Sequence, residues 1–510
     1  MWFSSWLRSR KQHESPRKRP TFRPTLEALE GRLVPTQIGL SVTSLADSGP
    51  GTLRAAILAA DAGSHSDKFK IGFAVTGTID LQSPLPDLNN NIAIRGPGQR
   101  RLTVEQAAGA SFTSAIVTVG FSAGTQTASL AGLTIANGSA GGIVNNGTLT
   151  VSDCTVSGNT ASDSGGGIDN EGTLIVSGCT LSNNSAVVGG GIFTAATLEV
   201  SGCTLSGNVG GGIYNNAGVA TVMGSAFTGN SATAGLGGGG ISNQYGQMTV
   251  ANSTFSGNSA PAGLHVGAPG GAIFNNGLDF FTGAATTMTV RDCTLSGNSA
   301  TEGGAIEDAN NTTVTISRCT LSGNSATRAG GAIFNGGTLT VSGCTLSGNS
   351  AAQGGGIFNQ SSLVVGNSVF TGNSATKGGG IFNGGTLTVR DSLLTSNSAT
   401  FGGGIYNDSL DIFGTVFFGT VTVTGSTFTG NTASDSGGGI YNLGTATVRD
   451  SILARNSAGS DGGGIFNGAS GKLTVKDSVV RHNVALLGAD LYNAGVVFVG
   501  DSIIGSRHDI

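Results

Sequence analysis

Short runs in which apolar and polar residues alternate recur along most of the chain, and glycine, asparagine and aspartate separate them. A clean unit, GGGIFNGGTLTVRDSLLTSNSATF at residues 378–401, contains three such runs. Because successive side chains of a strand point to opposite faces, Leu387 and Val389 are expected to point inward, and Thr386 and Thr388 outward. The unit predicts three short β-strands and no helix.

The unit repeats at intervals of about 24 residues, with longer insertions in places. Its marker is G-G-G/A-I-x-N, in which the apolar residue is Ile143, Ile168, Ile192, Ile213, Ile241, Ile273, Ile306, Ile333, Ile357, Ile381, Ile405, Ile440, Ile465 and Leu491. Repeats of this length, each in contact only with its neighbours, are typical of solenoids. We therefore predict an all-β fold, a parallel β-helix with three-stranded coils of about 24 residues.

Stacked coils place equivalent residues in columns, and one column is almost entirely asparagine. Its members are Asn159, Asn184, Asn208, Asn230, Asn258, Asn298, Asn324, Asn349, Asn373, Asn397, Asn431, Asn456 and Asn483. Inward-facing amides at the spacing of stacked coils can hydrogen bond to one another and to turn backbone. This column predicts a structural ladder rather than a binding site.

The six cysteines share another column, which holds serine in most other coils: Cys154, Cys179, Cys203, Cys293, Cys319 and Cys344. In-register Cβ atoms about 4.8 Å apart exceed the roughly 3.5 to 4.5 Å that a disulfide needs. We therefore predict buried free thiols. The five histidines are scattered and no CxxC motif occurs, so no zinc site is predicted.

A turn column holds Asp450, Asp477 and Asp501 on consecutive coils, and glycine or asparagine in most others. Glycine, asparagine and aspartate share a preference for turns. The column therefore indicates a turn and not a calcium ladder.

A different pattern precedes the regular units. Within residues 47–63, DSGPGTLRAAILAADAG, one helical face carries Leu53, Ala56, Ile57 and Ala60. A short helix here would cover the first coil, which otherwise exposes strand edges and apolar side chains. The predicted organisation is a basic leader (1–36), an N-terminal cap with the short helix (37–70), irregular first coils (71–142) and regular β-helix repeats (143–510).

Composition changes the picture mainly at the amino terminus. Residues 1–32 carry eight Lys/Arg and three Glu, whereas the remainder is acidic. Charged residues are 11% and hydrophobic residues 38%, so the apolar content suffices for a core. No uninterrupted apolar run reaches about 18 residues, which argues against a helical membrane span. We interpret residues 1–36 as a disordered leader or targeting segment, with no nucleic-acid partner expected.

The repeated GGAI or GGGI together with FTGN or FSGN, ending at Asn230, Asn258, Asn373 and Asn431, resembles the polymorphic outer membrane protein repeat. The segments TSLADSGPGTLRAAI, LPDLNNNIAIRGPG and LAGLTIANG are similar to the amino-terminal region of large secreted bacterial right-handed β-helix proteins. The resemblance implies a right-handed β-helix located outside the cell or on the cell envelope, with an adhesive role.

The residue between the apolar residue and the asparagine of the marker is aromatic in most coils. This position also accepts Asp169, Ser242 and Glu307 while its neighbour stays Ile or Leu, so it is expected to face outward. An exposed row of rings would bind a polysaccharide or a cell-surface protein. Alternatively, the rings stack on one another under the SATxGGG loops, which we favour. The candidate ligand-binding residues on consecutive coils are Phe334, Phe358, Phe382, Tyr406, Tyr441, Phe466 and Tyr492.

Two other functions stay open. Polysaccharide lyases and hydrolases need clustered carboxylates with calcium and a basic residue, or a paired acid and base. The best local set is Glu302, Glu307 and Asp308, with Arg318 and Arg328 one coil further on. Repeated Thr-x-Thr on one outward face is also a pattern of ice-binding solenoids, although threonine is common on exposed strands.

The sequence therefore predicts a non-enzymatic, secreted or surface-displayed β-helix with a structural or adhesive role. A polysaccharide lyase or hydrolase is the alternative, and an ice-binding protein is a remote one. No catalytic residue, metal or cofactor is predicted. The expected partners are an extracellular polysaccharide or a cell-surface protein, and the oligomeric state stays open.

Overall fold

The computed structural model describes residues 37–120, 127–233, 235–261, 270–277, 286–412 and 415–510. The chain is a right-handed parallel β-helix, and the described residues include one short helix, which confirms the predicted fold class. Three long parallel sheets run along its axis. Within one coil the chain passes first through a strand of sheet 3, which carries the aromatic column, then through sheet 1 and then through sheet 2. The predicted leader, 1–36, lies outside the described residues.

The strands of sheet 1 are Gln37–Val42, Lys68–Phe73, Ile92–Arg95, Thr127–Ala131, Thr148–Ser152, Thr173–Ser177, Thr197–Ser201, Val219–Met223, Gln247–Ala251, Thr286–Arg291, Thr312–Ser317, Thr338–Ser342, Ser362–Gly366, Thr386–Arg390, Thr420–Thr424, Thr445–Arg449, Lys472–Lys476 and Val496–Gly500. Those of sheet 2 are Gly77–Leu81, Leu102–Gln106, Thr134–Ala136, Thr155–Ser157, Thr180–Ser182, Thr204–Ser206, Ala226–Thr228, Thr254–Ser256, Thr294–Ser296, Thr320–Ser322, Thr345–Ser347, Val369–Thr371, Leu393–Thr395, Thr427–Thr429, Ile452–Ala454, Val479–Arg481 and Ile503–Ile504. Those of sheet 3 are Val117–Val119, Ile143–Asn145, Ile168–Asn170, Ile192–Thr194, Ile213–Asn216, Ile241–Gln244, Ile273–Asn276, Ile306–Asp308, Ile333–Asn335, Ile357–Asn359, Ile381–Asn383, Ile405–Asn407, Ile440–Asn442, Ile465–Asn467, Leu491–Asn493 and Arg507–Asp509.

A partial fourth side lies between sheet 2 and the glycine triplet of the next coil, where the sequence predicts only a loop. The SAT segments pair there in two short parallel sheets, Ser259–Ala260 with Ser299–Glu302 and Ser325–Ala329, and Ser398–Phe401 with Thr432–Ser436 and Ser457–Ala458. An antiparallel hairpin, Ser409–Ile412 with Thr415–Phe418, projects from the longest insertion. Six coils therefore carry a fourth strand among the described residues.

The core is a stack of identical or similar apolar side chains. In the coil at 381–404, Leu387, Val389 and Leu394 are fully buried, as the alternation predicts. Leu387 lies in register with Leu363 in the coil before it and with Val421 in the coil after it. Each such burial contributes about 1.5 to 3 kcal/mol, and stacking repeats it along the axis.

The one helix, Leu53–Asp61, is the predicted cap. Its buried residues are the predicted Leu53, Ala56, Ile57 and Ala60. The Thr52 side chain accepts a hydrogen bond from the backbone N–H of Ala55, which satisfies an otherwise free donor of the first turn. The helix packs on the first strands of sheet 1.

The predicted asparagine ladder, Asn159 to Asn483, is present and has a direction. Asn324 is typical: its Nδ2 donates to Asn349 Oδ1 at 3.0 Å and to the Leu295 carbonyl at 3.0 Å. Its own Oδ1 accepts from both the backbone N–H and the Nδ2 of Asn298. At the end of this inner amide ladder, Asn483 donates twice to Asp490 Oδ1, and a carboxylate, which only accepts, closes the series.

The cysteine column consists of free, buried thiols, as predicted. The backbone N–H of Cys154 donates to Cys179 Sγ at 3.4 Å, and the Cys154 thiol donates to the Ser152 carbonyl. In the coils without cysteine, serine makes the equivalent bonds, as Ser392 N–H does to Ser426 Oγ. The column therefore requires a small side chain whose sulfur or oxygen accepts a hydrogen bond from the backbone N–H of the preceding coil.

Turns, and close contacts between neighbouring coils, account for the high glycine content. Gly378 has a φ of +69°, and a Cβ there would meet the backbone of Ile381. A Cβ on Gly379 would meet the carbonyl oxygens of Ser398 and Gly403 in the following coil. The aspartates at 450, 477 and 501 have φ between +44° and +49°, which confirms that their column is a turn.

We expect Asn324→Ala to lower the free energy of unfolding by about 3 kcal/mol, because it leaves the buried backbone N–H of Asn298 without an acceptor and removes the side-chain bonds to Asn298 Nδ2 and Asn349 Oδ1. Denaturant unfolding followed by circular dichroism measures this. Thr320→Ala, at an exposed position of the same coil, is the control and should change stability by less than about 0.5 kcal/mol. Equal effects of the two substitutions would contradict the role assigned to the ladder.

Candidate functional site

The predicted ligand-binding residues form one continuous stack on sheet 3. From Phe334 to Tyr492, successive ring centroids lie 4.5 to 5.3 Å apart, with interplanar angles of 6° to 21°. His508 extends the stack, 5.5 Å beyond Tyr492. The in-register pairing of sheet 3 sets this spacing, because each strand places its middle residue directly over the one before. We call this stack the aromatic ladder.

The aromatic ladder leaves the main core, as predicted, but much of it is covered. Phe334, Phe358, Phe382 and Tyr406 are only 3 to 7% exposed and form a cluster of their own with Ala329. Tyr441, Phe466 and Tyr492 are half-buried. The stacked alternative is therefore confirmed, and an open stripe is wrong for the first four rings.

The residues that precede the glycine triplet flank the ladder. The Lys377 ammonium lies 5.1 Å from the ring centroid of Tyr406, and Phe401 contacts Tyr441 edge to face. The Tyr406 hydroxyl donates to Asp408 Oδ2 at 2.9 Å. Burial, with the Asp408 charge, raises the pKa of Tyr406 above its usual range, so its hydroxyl stays a donor. These contacts fix the rings in place.

Stacking also limits what the ladder can bind. A sugar ring packs against the face of an aromatic ring. Inside the ladder both faces of each ring are in contact with the rings of the neighbouring coils. The edges of the half-buried rings are what the ladder offers to a ligand.

The candidate acidic set is only partly assembled. Glu307 takes an aromatic position, in register with Phe274 and Phe334, and is 1% exposed. Glu302 lies beside it and pairs with Arg328 at 2.8 Å. Burial, together with the nearby charge of Glu302, raises the pKa of Glu307 well above its ordinary value.

The other two members of that set lie elsewhere. Arg318 pairs with Asp292, at 2.7 and 2.8 Å, and not with the glutamates. Asp308 points inward, into a second column of amides made by the asparagines of the marker. Among the described residues, no group of three His, Cys, Asp or Glu side chains is placed to hold a metal ion.

The marker asparagines form a second ladder, which sequence analysis did not identify although the motif contains it. We call it the marker ladder: Asn145, Asn170, Thr194, Asn215, Asn243, Asn275, Asp308, Asn335, Asn359, Asn383, Asn407, Asn442, Asn467, Asn493 and Asp509. Each amide donates to the next, as Asn383 does to Asn407 at 2.8 Å. The regular recurrence of asparagine at the end of the marker was the signal that could have predicted this ladder.

The marker ladder breaks at Asp308. Asn275 Nδ2 donates to Asp308 Oδ1 at 3.2 Å, and the Thr312 hydroxyl donates to the same oxygen. Asp308 Oδ2 and Asn335 Oδ1, in register on adjacent strands, are buried without a hydrogen-bond partner among the described residues. Burial raises the pKa of Asp308 to about 7. A proton on Oδ2 would supply the missing donor.

A groove of about 390 Å³ on the outward face of sheet 1 was also missed. It spans the first five strands of sheet 1, and its charged lining residues among those described are Lys68, Lys70 and Arg95. Alternation in KFKIGF and NIAIR, which places these three side chains outward, was the signal that could have found it.

Comparisons with known proteins agree with the fold. The model described as "Right handed beta helix region" matches residues 275–413, and the "Chlamydia polymorphic membrane protein (Chlamydia_PMP) repeat" matches residues 153–171 and 425–443. These matches support a β-helix repeat family of the polymorphic membrane protein type, as the sequence motifs predicted. No curated protein matches the chain. No helix among the described residues is long and apolar enough to span a membrane.

Solved structures similar to the chain include the A-modules of two mannuronan C-5 epimerases of Azotobacter vinelandii. The AlgE6 module has 11% identity and a TM-score of 0.24, over 90% of this chain and 96% of the module. The AlgE4 module has 13% identity and a TM-score of 0.22, over 90% and 94%. Likenesses this low carry no argument about activity.

We expect Phe382→Ala to lower the free energy of unfolding by about 3 to 5 kcal/mol, because it opens a cavity between two stacked rings. Thermal and denaturant unfolding measure the loss. The matched control is Phe498→Ala, since Phe498 is 62% exposed on sheet 1. Comparable losses in both variants would contradict a packing role for the aromatic ladder.

We expect Asp308→Asn to raise the free energy of unfolding at pH 8 by about 1 to 3 kcal/mol, because the amide donates to Asn335 Oδ1. A carboxyl with a raised folded-state pKa binds its proton more tightly in the folded state, so wild-type stability falls as pH rises from 4 to 8. Urea unfolding across this range should show a smaller fall in the variant. Asp450→Asn, at an exposed turn, is the control. An identical dependence of stability on pH in Asp308→Asn and wild type would contradict the role assigned to the Asp308 carboxyl.

Proposed function

We propose that the chain is a non-enzymatic β-helix rod, secreted or displayed at the cell surface, with a structural or adhesive role. One observation carries the proposal. Over seven consecutive strands of sheet 1, the two outward positions nearest the amino end of each strand are uncharged, and all but one of these positions carry a hydroxyl. The positions are Thr287, Thr289, Thr313, Thr315, Thr338, Thr340, Ser362, Val364, Thr386, Thr388, Thr420, Thr422, Thr445 and Thr447. We call this surface the hydroxyl face.

The hydroxyl face is suited to contact with an extended polymer. Its strands are about 4.8 Å apart, so it presents hydroxyls in two rows over about 29 Å. Each hydroxyl both donates and accepts, which suits the hydroxyl groups of a polysaccharide or the polar groups of a protein surface. Because the stacked coils hold these side chains in place, little conformational entropy is lost on binding.

A surface location is supported by the repeats themselves, since the matched repeat is described as that of a membrane protein family. The partner would then be an extracellular polysaccharide or a cell-surface protein, as the sequence predicts. Binding along the aromatic ladder stays a prediction; its half-buried members, Tyr441, Phe466 and Tyr492, are the ones a ligand could touch.

The alternative, a polysaccharide lyase or hydrolase, draws on Glu302 and Glu307. The raised pKa of Glu307 and the Arg328 partner of Glu302 are features of catalytic acids. However, Glu302 is 5% and Glu307 1% exposed, and a catalytic acid must reach its substrate. We therefore favour the non-enzymatic function.

The test incubates the full chain with neutral cell-wall polysaccharides and measures bound protein and released sugar ends together. Thr340→Glu, Thr388→Glu and Thr422→Glu in one variant should weaken binding by about tenfold or more, because the added charges need desolvation. Thr155→Glu, Thr180→Glu and Thr204→Glu place three charges on outward positions of sheet 2 and should leave binding unchanged.

Tyr441→Ala with Phe466→Ala tests the aromatic ladder in the same assay. Loss of binding only in this variant would move the contact from the hydroxyl face to the ladder. Released sugar ends that disappear in Glu307→Gln would overturn the non-enzymatic proposal.

A further inference from the structure

We infer that the groove in the first coils is a binding site for an acidic polysaccharide. The inference rests on the proposed adhesive function and adds a second, charged contact to it. The groove lies on the outward face of sheet 1, across the strands Gln37–Val42, Lys68–Phe73, Ile92–Arg95, Thr127–Ala131 and Thr148–Ser152. We call it the basic groove.

Three cations cross the basic groove along a diagonal. Lys68 and Lys70 are two residues apart on one strand, so both point outward. Arg95 lies on the next strand, in register with Gly72, two positions further along. The three side chains therefore originate about 7 to 8 Å apart, over about 14 Å in all. Such a row suits a linear polymer that carries one anionic group per unit.

These cations are not neutralised by the protein. Within the described residues, Lys68, Lys70 and Arg95 are exposed and make no ion pair. Some cations elsewhere have carboxylate partners, as Arg54 has Asp47 and Arg328 has Glu302, whereas isolated ones such as Arg390 make no ion pair among the described residues. No acidic residue of the described part of the chain lines the groove, although the whole chain has a net charge of −4. An unpaired positive row in an acidic protein is a site for an anion.

The lining of the groove also supplies neutral hydrogen-bonding groups. Gln37, Asn91, Thr127, Ser129 and Thr150 all line it. Asn91 Oδ1 accepts from the backbone N–H and the hydroxyl of Thr127, at 3.2 and 3.1 Å, so this wall is fixed before a ligand arrives. Amide and hydroxyl groups beside cations match the hydroxyls and carboxylates or sulfates of an acidic sugar.

Short side chains surround Lys70 on the floor of the groove. Lys70, Ala93, Ser129 and Thr150 follow one another in register across four strands, and all four line the groove. The long side chain of Lys70 thus stands among short ones, and a chain of sugar units can lie along the floor.

The lining disfavours nucleic acid. Sequence-tolerant binding of single strands uses exposed aromatic rings on which bases stack. The one aromatic lining residue, Phe69, is 4% exposed and belongs to the core. A planar membrane surface would not reach the floor of a concave groove.

The test measures binding of the full chain to a fluorescently labelled polygalacturonate oligosaccharide and to a sulfated glycan, at two salt concentrations. The neutral oligosaccharide of the same length is the reference ligand. Lys68→Gln, Lys70→Gln and Arg95→Gln together should weaken binding of the acidic ligand by about tenfold or more and reduce its salt dependence. Whichever acidic glycan binds more tightly identifies the anionic group.

The matched control removes three cations from the other end of the same sheet: Arg449→Gln, Lys472→Gln and Lys476→Gln. It carries the same change in net charge and should leave binding unchanged. Equal losses in both variants would show general charge attraction and overturn the inference. No binding to either acidic glycan, or equal affinity for single-stranded DNA, would overturn it as well.

The two proposals fail separately. The variant of the hydroxyl face, Thr340→Glu with Thr388→Glu and Thr422→Glu, should keep its affinity for the acidic oligosaccharide. If it loses this affinity as well, the ligand does not lie in the basic groove and the inference is wrong. Acidic ligand bound through Lys70, with no neutral polymer bound by the wild type, would uphold the groove and remove the hydroxyl face.

Discussion

Everything in this structure depends on parallel stacking in register, at about 4.8 Å per coil. Each buried residue meets its own counterpart above and below, so a polar residue can stay inside only where its column forms a chain of donors and acceptors. Asparagine meets this condition because its amide donates and accepts. In the inner amide ladder, Asn324 passes a hydrogen bond to Asn349, and the series closes at Asp490, whose carboxylate only accepts.

The same constraint makes departures from a column conspicuous. Asp308 interrupts the marker ladder, and two buried acceptors on adjacent strands, Asp308 Oδ2 and Asn335 Oδ1, then lack a donor among the described residues. In the same strand, Glu307 interrupts the aromatic position, where a carboxyl replaces a ring. Both pKa values are raised, chiefly by burial. Perturbed groups in this protein thus mark breaks in periodicity, and their presence alone is weak evidence for catalysis.

Repetition also explains what the sequence could predict. The cap residues Leu53 and Ile57, the inner amide ladder and the buried cysteines follow from period and alternation alone. Alternation predicts that the Phe358 side chain points away from the main core. It does not predict that the fourth side covers this ring, because the covering residues come from a different part of the coil. The strands that carry the cations of the basic groove precede the repeat motif. Lys70 therefore had no aligned column of equivalent residues in which it could be recognised as an exception.

A satisfied interior leaves the outward positions of sheet 1 free to change along the axis. The first coils carry Lys68, Lys70 and Arg95. In seven middle strands the two outward positions nearest the amino end carry hydroxyls and one valine, and the column of Arg95 holds Arg291, Arg390 and Arg449. In the last strand of sheet 1 the same positions hold Val496 and Phe498, which are 67% and 62% exposed. One rigid scaffold thus presents outward positions that change along its axis, basic in the first strands, mainly hydroxyl-bearing with separate arginines in the middle strands and apolar in the last strand. Such a surface can contact chemically different parts of an extended partner at once, and the separate contacts reinforce one another because the rod fixes their spacing.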